Sequence, residues 1–478
     1  MEMPSFTVDP AARRLKPRQW QSQLIQLLRA RLIRPEPSGH DVLVHAGPGA
    51  GKTLGALLSF QALRREHRLD RFLVFCHRTS IAEQWQQAAA RLGLRLLAWD
   101  DPAAADQDSW DGLQISYQCA GRHRWRLQHE LPRLGLGRWL AIADEVHHLG
   151  LDPDDPEAVG WGPAFSNLTV AAELRLGLTG TPFRADNLAF CAARRLRLRD
   201  GDGFLEQIAP DLCVEPRQLI AAGDVRPLEF RFQDGWVDHG RRQLPEELEP
   251  SPLSAEARES WRARNLRRAI QLGDASGIAQ RLLLQAQQRL DRVRAQHPEA
   301  AGLVVARDIA HARRISVFLE EQGHRVLLVH SLEPDAPAGL AAFRQGTADW
   351  LVSIDMCAEG FDAPRVRVVA YLTTVVTRSR FVQAITRAVR VDAGRAALEP
   401  VPRQASYVYA VADPLLIAHA RGWSLSEPYL LRPRAVVDPC APGVGGTPAR
   451  PLEALGERAG EVIRVTGPEL PPFLRRSA

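Results

Sequence analysis

Residues 42–63 read VLVHAGPGAGKTLGALLSFQAL. VLVH at 42–45 has the length and apolar character of a short buried strand. TLGALLSFQAL, from residue 53, carries apolar residues at helical spacing. Between them Gly47, Gly49 and Gly51 let the backbone curl so that successive N–H groups face a phosphate. The helix beginning near Gly51 adds the positive end of its dipole. Lys52 is placed to reach β- and γ-phosphates, and the Thr53 hydroxyl to ligate Mg²⁺. The expected ligands are therefore ATP and Mg²⁺. Ala46 stands where the strict form of this loop has Gly. Of 61 basic residues only Lys16 and Lys52 are lysine, so an ammonium survives at the position where a guanidinium does not fit.

Outward from this loop the chain alternates short apolar runs with helical stretches. Strands are expected at 72–76, 94–99, 113–117, 139–143 and 174–178, and again at 302–306, 325–330, 350–354, 366–372 and 406–411. Such alternation predicts an α/β fold with two halves, each a parallel sheet flanked by helices. Residues 185–275 break the pattern and read as a connector with a short hairpin and helices. The expected divisions are an arm at 1–14, a first domain at 15–195, a connector at 196–275, a second domain at 276–430 and a tail at 431–478. The tail holds 14 Pro plus Gly, a density that predicts poor order.

Further motifs carry chemistry. DEVHH at 144–148 ends the apolar run WLAIA, which puts two carboxylates at the carboxyl edge of a parallel strand, where α/β sheets bind ligands. Asp144 is the candidate to hold Mg²⁺ through water, and Glu145 to orient and deprotonate the attacking water. His147 is the candidate for coupling hydrolysis to the rest of the machine; His148 reads as structural. In TGTPFR at 179–184, Thr179 and Thr181 are placed to hydrogen-bond to the DEVHH loop, although alone the segment is only a turn. In AEGFDAP at 358–364, Gly360 supplies a tight turn and Asp362 an acceptor for a ribose hydroxyl. QAITRAVR at 383–390 sets Gln383, Arg387 and Arg390 on one helical face. In isolation that face reads as ordinary solvated surface.

The formal charge is +5, which permits a nucleic-acid partner and does not demand one. Cys76, Cys119, Cys191, Cys213, Cys357 and Cys440 form no CxxC pair, which excludes a zinc ribbon and fits buried thiols in a reducing compartment. No run of 18 uncharged apolar residues occurs, and the first twenty residues lack a signal-type apolar core, so a cytoplasmic protein is expected.

From about Leu15 to Arg390 the ordered motifs resemble superfamily 2 helicases and translocases, in the branch shared with restriction-enzyme motor subunits. The order is LKPRQWQ, AGPGAGKT, HRTSIAEQW, ISYQ, DEVHH, TGTPFR, GLVVA, SIDMCAEGFDAP and QAITRAVR. The resemblance implies two tandem RecA-like domains with ATP bound between them. It makes Arg387 and Arg390 arginine fingers and Gln21 the adenine-reading glutamine, with Gln19 as the other register. It places Arg78, Thr79, Ser116, Tyr117 and Gln118 in segments that contact the nucleic-acid backbone. Thr386 departs from the glycine usual in the last motif.

The expected function is thus a nucleic-acid-stimulated ATPase, a helicase or translocase. DNA is favoured over RNA from the family branch alone, with partner proteins of a defence, restriction or repair system. The alternative is an ATP-gated nucleic-acid-binding switch or scaffold that recruits a partner without processive unwinding. A small-molecule phosphotransferase is disfavoured by the second half with its AEGFD and QxxxRxxR segments.

Overall fold

In a computed structural model the chain forms two compact units. The structure describes residues 17–34, 39–77, 79–149, 161–180, 194–200, 203–239, 251–330, 332, 335–354, 363–392, 394–423, 429–431 and 463–466. The first unit comprises Met1–Ala46, Gly51–Val214 and Tyr429–Leu431; the second comprises Gly47–Ala50, Glu215–Pro428 and Arg432–Ala478.

In the first unit the elements run α1 (Gln19–Ile33), β1 (Asp41–Ala46), α2 (Lys52–Arg65), β2 (Arg71–Cys76), α3 (Thr79–Arg91), β3 (Leu96–Ala98) and β4 (Gly112–Ser116). They continue as α4 (Tyr117–Arg122), α5 (Arg124–Glu130), β5 (Trp139–Ala143), α6 (Trp161–Leu168), β6 (Leu174–Thr179), β7 (Arg194–Asp200), β8 (Gly203–Ala209) and β9 (Leu212–Val214). Seven of the strands form one parallel sheet in the order β3-β4-β2-β5-β6-β1-β9. Every residue of β1 and of β5 is buried. That is why these strands read as unbroken apolar runs instead of alternating ones. Helices on the faces complete the core, with Trp85, Trp110 and Phe165 fully enclosed.

The second unit runs α7 (Pro216–Ala221), β10 (Leu228–Gln233), β11 (Trp236–His239), β12 (Ser251–Pro252), α8 (Glu259–Ala269), α9 (Ile278–Arg294), β13 (Ala301–Ala306) and α10 (Ile309–Glu321). It continues through β14 (Val326–Val329), α11 (Ala336–Arg344), β15 (Trp350–Ser353), β16 (Val366–Leu372), α12 (Arg378–Ile385), β17 (Ser406–Val411) and α13 (Pro414–Gly422). Its six-stranded sheet is also parallel, in the order β10-β17-β16-β13-β15-β14. The expected architecture, two parallel sheets flanked by helices, is what the chain adopts. Among the described residues no helix is long and apolar enough to cross a membrane.

Three sequence expectations need correction. The connector holds the expected hairpin, β7 with β8, and the helices α7 and α8, but it also extends both sheets: β9 joins the edge of the first and β10 the edge of the second. The tail, expected to be poorly ordered, contributes β19 (Ile463–Thr466), which pairs with β11; β18 (Tyr429–Leu431), where the expected second domain ends, pairs with β8. The helix expected to reach Arg390 ends at Ile385, with Thr386 as its C-cap. The Thr386 hydroxyl donates to the Gln383 carbonyl, and Arg387 and Ala388 continue as turns bonded three residues back. Gln383, Arg387 and Arg390 therefore do not share the face of one regular helix.

Candidate active site

The candidate site of the first unit is built at the carboxyl edge of its sheet, where β1, β5 and β6 end side by side. Lys52 opens α2, and its N-cap Gly51 sits in the left-handed region at φ 80°. Gly49 has the same φ of 80°, so both positions adopt a backbone that a side chain would strain. Gln21 is buried in α1. Its Oε1 accepts from the Arg18 N–H at 2.8 Å and its Nε2 donates to the Gly51 carbonyl at 3.0 Å. The glutamine assigned to adenine thus holds the turn at the start of α2; Gln19, the other register, is exposed.

Glu145 is the second residue after β5 and takes φ 46°, an uncommon conformation for a residue with a side chain and one that persists where surroundings enforce it. Its Oε1 lies 3.1 Å from Lys52 Nζ, and its Oε2 accepts from the Gly180 N–H at 3.2 Å. Lys52 Nζ also donates to the Ala46 carbonyl at 3.4 Å. Lys52 Nζ lies close over Gly180: a Cβ there would sit 2.4 Å from it, so a side chain at this position would displace the end of the lysine. Asp144 is buried; Trp85 Nε1 donates to its Oδ2 at 2.7 Å, and the Glu145 N–H to its Oδ1 at 3.0 Å. Burial, and then the Glu145 charge, push the Asp144 carboxyl above the usual carboxylate range against the pull of Lys52.

His45 is the unexpected neighbour. It lies in β1 opposite Thr179, with Nδ1 at 3.4 Å from Cys213 Sγ of β9. Burial, and then the charge of Lys52, lower its pKa to about 4, so the ring is neutral near pH 7. Thr179 is buried at the end of β6, and the Gly180 backbone N–H links this segment to Glu145. Sequence reasoning missed Gly180, Trp85 and His45. Gly180 was visible between two threonines, but its N–H bond to Glu145 joins segments 35 residues apart.

The structure brings Lys52, Glu145 and Asp144 together with the end of β1, but it does not support every sequence assignment. The Tyr117 side chain is turned inward. It is fully buried, its hydroxyl donates to the Asp144 carbonyl at 2.8 Å, and its ring stacks on Trp161. Ser116 caps α4 by accepting from the Cys119 N–H, and Gln118 Nε2 lies 3.3 Å from His77 Nδ1. In the second unit Arg387 is buried at 7% exposure, which removes the solvated-surface reading for that residue, while Arg390 is half-buried. Arg78, Thr181, Gly360 and Asp362 lie outside the described residues, as do the side chains of Thr79, His147 and His148.

Residues 14–184 match the family described as the Type III restriction enzyme, res subunit, and residues 285–392 match the helicase conserved C-terminal domain. The chain belongs to the superfamily 2 helicase-like proteins of restriction-enzyme type. This helicase-like chain is 33% identical over 365 residues to the uncharacterized protein Rv2917 of Mycobacterium tuberculosis (strain ATCC 25618 / H37Rv). That alignment covers 73% of the chain and 56% of the relative, so the chain spans little more than half of the relative's length. In fold it is similar to a fragment assigned as the HsdR subunit of a type I restriction enzyme from Vibrio vulnificus YJ016. The TM-score is 0.54 at 16% identity, over 86% of this chain and 67% of that one. It is also similar to the ATP-dependent Type ISP restriction-modification enzyme LlaBIII bound to DNA. Here the TM-score is 0.50 at 14% identity, over 83% of this chain and 27% of that one.

Proposed function

We propose that this chain is an ATP-driven motor that moves along DNA, hydrolysing ATP with Mg²⁺. The observation that carries the reading is the Lys52–Glu145 pair at 3.1 Å, set against Gly180 beside the glycine turn that opens α2. A partly exposed lysine and a carboxylate that hold each other this way are a phosphate-binding cation and a base kept ready at one sheet edge. The donor set fits the ligand: backbone N–H groups and one ammonium suit phosphate, and the oxygens of Thr53 and Asp144 suit a hard cation. Bound Mg²⁺ would neutralise phosphate charge. Glu145 would take the proton of the attacking water, and Asp144, with both oxygens already oriented by Trp85 and its own neighbour, would hold metal-bound water in place. Gln21 would read the base by exchanging its bonds to Arg18 and Gly51 for the nucleotide, and Arg387 and Arg390 would act as arginine fingers during turnover.

DNA is proposed over RNA because of the restriction-enzyme character of the matched family. Residues 15–195 and 276–430 are proposed as the two motor domains, with β9 and β10 as the pieces by which the intervening segment extends their sheets. The candidate contacts are hydroxyls, amides and arginines suited to phosphates, so binding is expected to be independent of sequence and steeply salt-dependent. The test runs a triplex-displacement substrate beside a fluorescent fork, with ATP and no partner protein. Triplex displacement without strong fork unwinding supports the translocating motor. No displacement, with ATP still altering DNA affinity, supports a nucleic-acid-bound switch instead. Robust fork unwinding without triplex displacement contradicts the translocation reading.

A further inference from the structure

We infer that Trp125, with Arg124 packed beside it, is a stacking platform for single-stranded nucleic acid. The inference rests on the motor reading and adds a contact that none of the sequence motifs supplies. Trp125 lies in α5 at 70% exposure, although an indole is among the most costly surfaces to leave in water. The helix is anchored on its other side by buried Leu127 and, just beyond its end, Leu131, so the exposure of Trp125 follows from the orientation of a well-packed element. The Arg124 guanidinium stands 5.1 Å from the ring centroid of Trp125. The positions one turn along from Trp125 are Gln128 and His129, both polar, so the indole is not part of an apolar patch.

An isolated π-face with a cation beside it matches a base and its adjoining phosphate better than an apolar protein surface or a lipid tail. Charge points the same way. Residues 122–133 hold Arg122, Arg124, Arg126 and Arg133 against one carboxylate, Glu130, which pairs with Arg126 at 2.7 Å. The placement is also suitable. The α4–α5 segment leaves the carboxyl end of β4, and its first residue, Tyr117, is bonded to the Asp144 backbone. Nucleic acid lying on α5 would thus rest on the helix that follows α4, whose first residue is bonded to the candidate hydrolytic loop.

The experiment measures binding of a fluorescein-labelled oligothymidylate to the full chain by anisotropy, without nucleotide, over a range of salt. Trp125→Ala is expected to weaken binding about 5- to 140-fold, the equivalent of 1–3 kcal/mol at about 1.4 kcal/mol per decade. Trp125→Tyr keeps a π-face and should retain most of the affinity, whereas Trp125→Leu should behave like the alanine variant. Arg124→Gln should reduce the salt slope by about 0.7 if one phosphate contact is lost. In the wild-type chain, a bromodeoxyuridine-substituted strand should photocrosslink at Trp125, a readout that does not depend on any variant folding. Unchanged affinity in Trp125→Ala, wild-type affinity in Trp125→Leu, or crosslinks that avoid α5 would each overturn the assignment. These outcomes differ from failure of the motor reading, in which the wild-type chain itself binds no strand.

Discussion

Replacing Glu145 by Gln separates chemistry from architecture at the candidate site. The Glu145 side chain is 28% exposed and that of Lys52 12%, at a separation of 3.1 Å. With an effective dielectric of about 20, their gross attraction is about 5 kcal/mol. Desolvation and side-chain ordering leave roughly 1 kcal/mol of that as net stability for a partly exposed pair. Gln keeps the shape but has a single acceptor oxygen, so it accepts from Lys52 or from the Gly180 N–H and turns its NH2 toward the other donor. It also removes the like charge that pushes Asp144 upward, a gain that offsets part of the loss. The expected stability change is therefore within about 1 kcal/mol. Turnover should fall far more, by roughly 10²–10⁴-fold, or about 3–5 kcal/mol of barrier, because an amide cannot take a proton from water. Phosphate release gives the rate, a fluorescent nucleotide gives the affinity, and thermal melting gives the stability. Loss of rate with intact affinity and an intact fold is the expected combination. Turnover within about a factor of two of wild type would falsify the assignment of Glu145 as the base.

Arg387→Ala and Arg390→Ala should each leave nucleotide affinity nearly unchanged, and at least one should slow hydrolysis by roughly 10³-fold or more; full stimulated turnover in both removes the finger assignment. His45 tests the electrostatics of β1. Its folded pKa of about 4 lies below the ordinary 6.5, so its contribution is complete above pH 6.5 and is lost as pH falls toward 4. Between pH 7 and pH 5 that loss is about 2 kcal/mol, and His45→Val should remove it from the urea-unfolding profile. An identical pH profile in the variant would mean that His45 is not held neutral by burial.

The fold was legible because its principal strands are covered on both faces. Runs such as WLAIA and VRVVAYL have no reading as half-exposed strands, and their alternation with helices leaves few other arrangements. The edges were less legible. Leu212–Val214 is only three residues long, and Leu228–Gln233 lies at a sheet edge with no buried residue. Neither needs the apolar density that marks a central strand. The glycine turn, Lys52, Asp144 and Glu145 could be placed from sequence because their chemistry is bound to local spacing. The inward turn of the Tyr117 side chain was not legible, for the opposite reason. Whether a tyrosine beside a strand end faces water or packs under Asp144 is decided by Trp161, forty-four residues on. The contact of His45 with Cys213 likewise depends on a strand register that spans 168 residues. The end of α12 at Ile385 came from Thr386, whose hydroxyl turns back to the Gln383 carbonyl, a competition that helical spacing alone does not register.

The central claim is that Lys52 and its glycine turn serve ATP hydrolysis driven by nucleic acid. It is tested most directly by phosphate release from the wild-type chain and from Lys52→Ala, each with no nucleic acid, single-stranded DNA, duplex DNA and RNA. The account expects wild-type turnover to rise with DNA above its level in the absence of nucleic acid, and Lys52→Ala to show no turnover under any condition, because the turn loses its ammonium. Wild-type turnover that is indifferent to every nucleic acid, or a Lys52→Ala chain that still hydrolyses ATP at the wild-type rate, would contradict it.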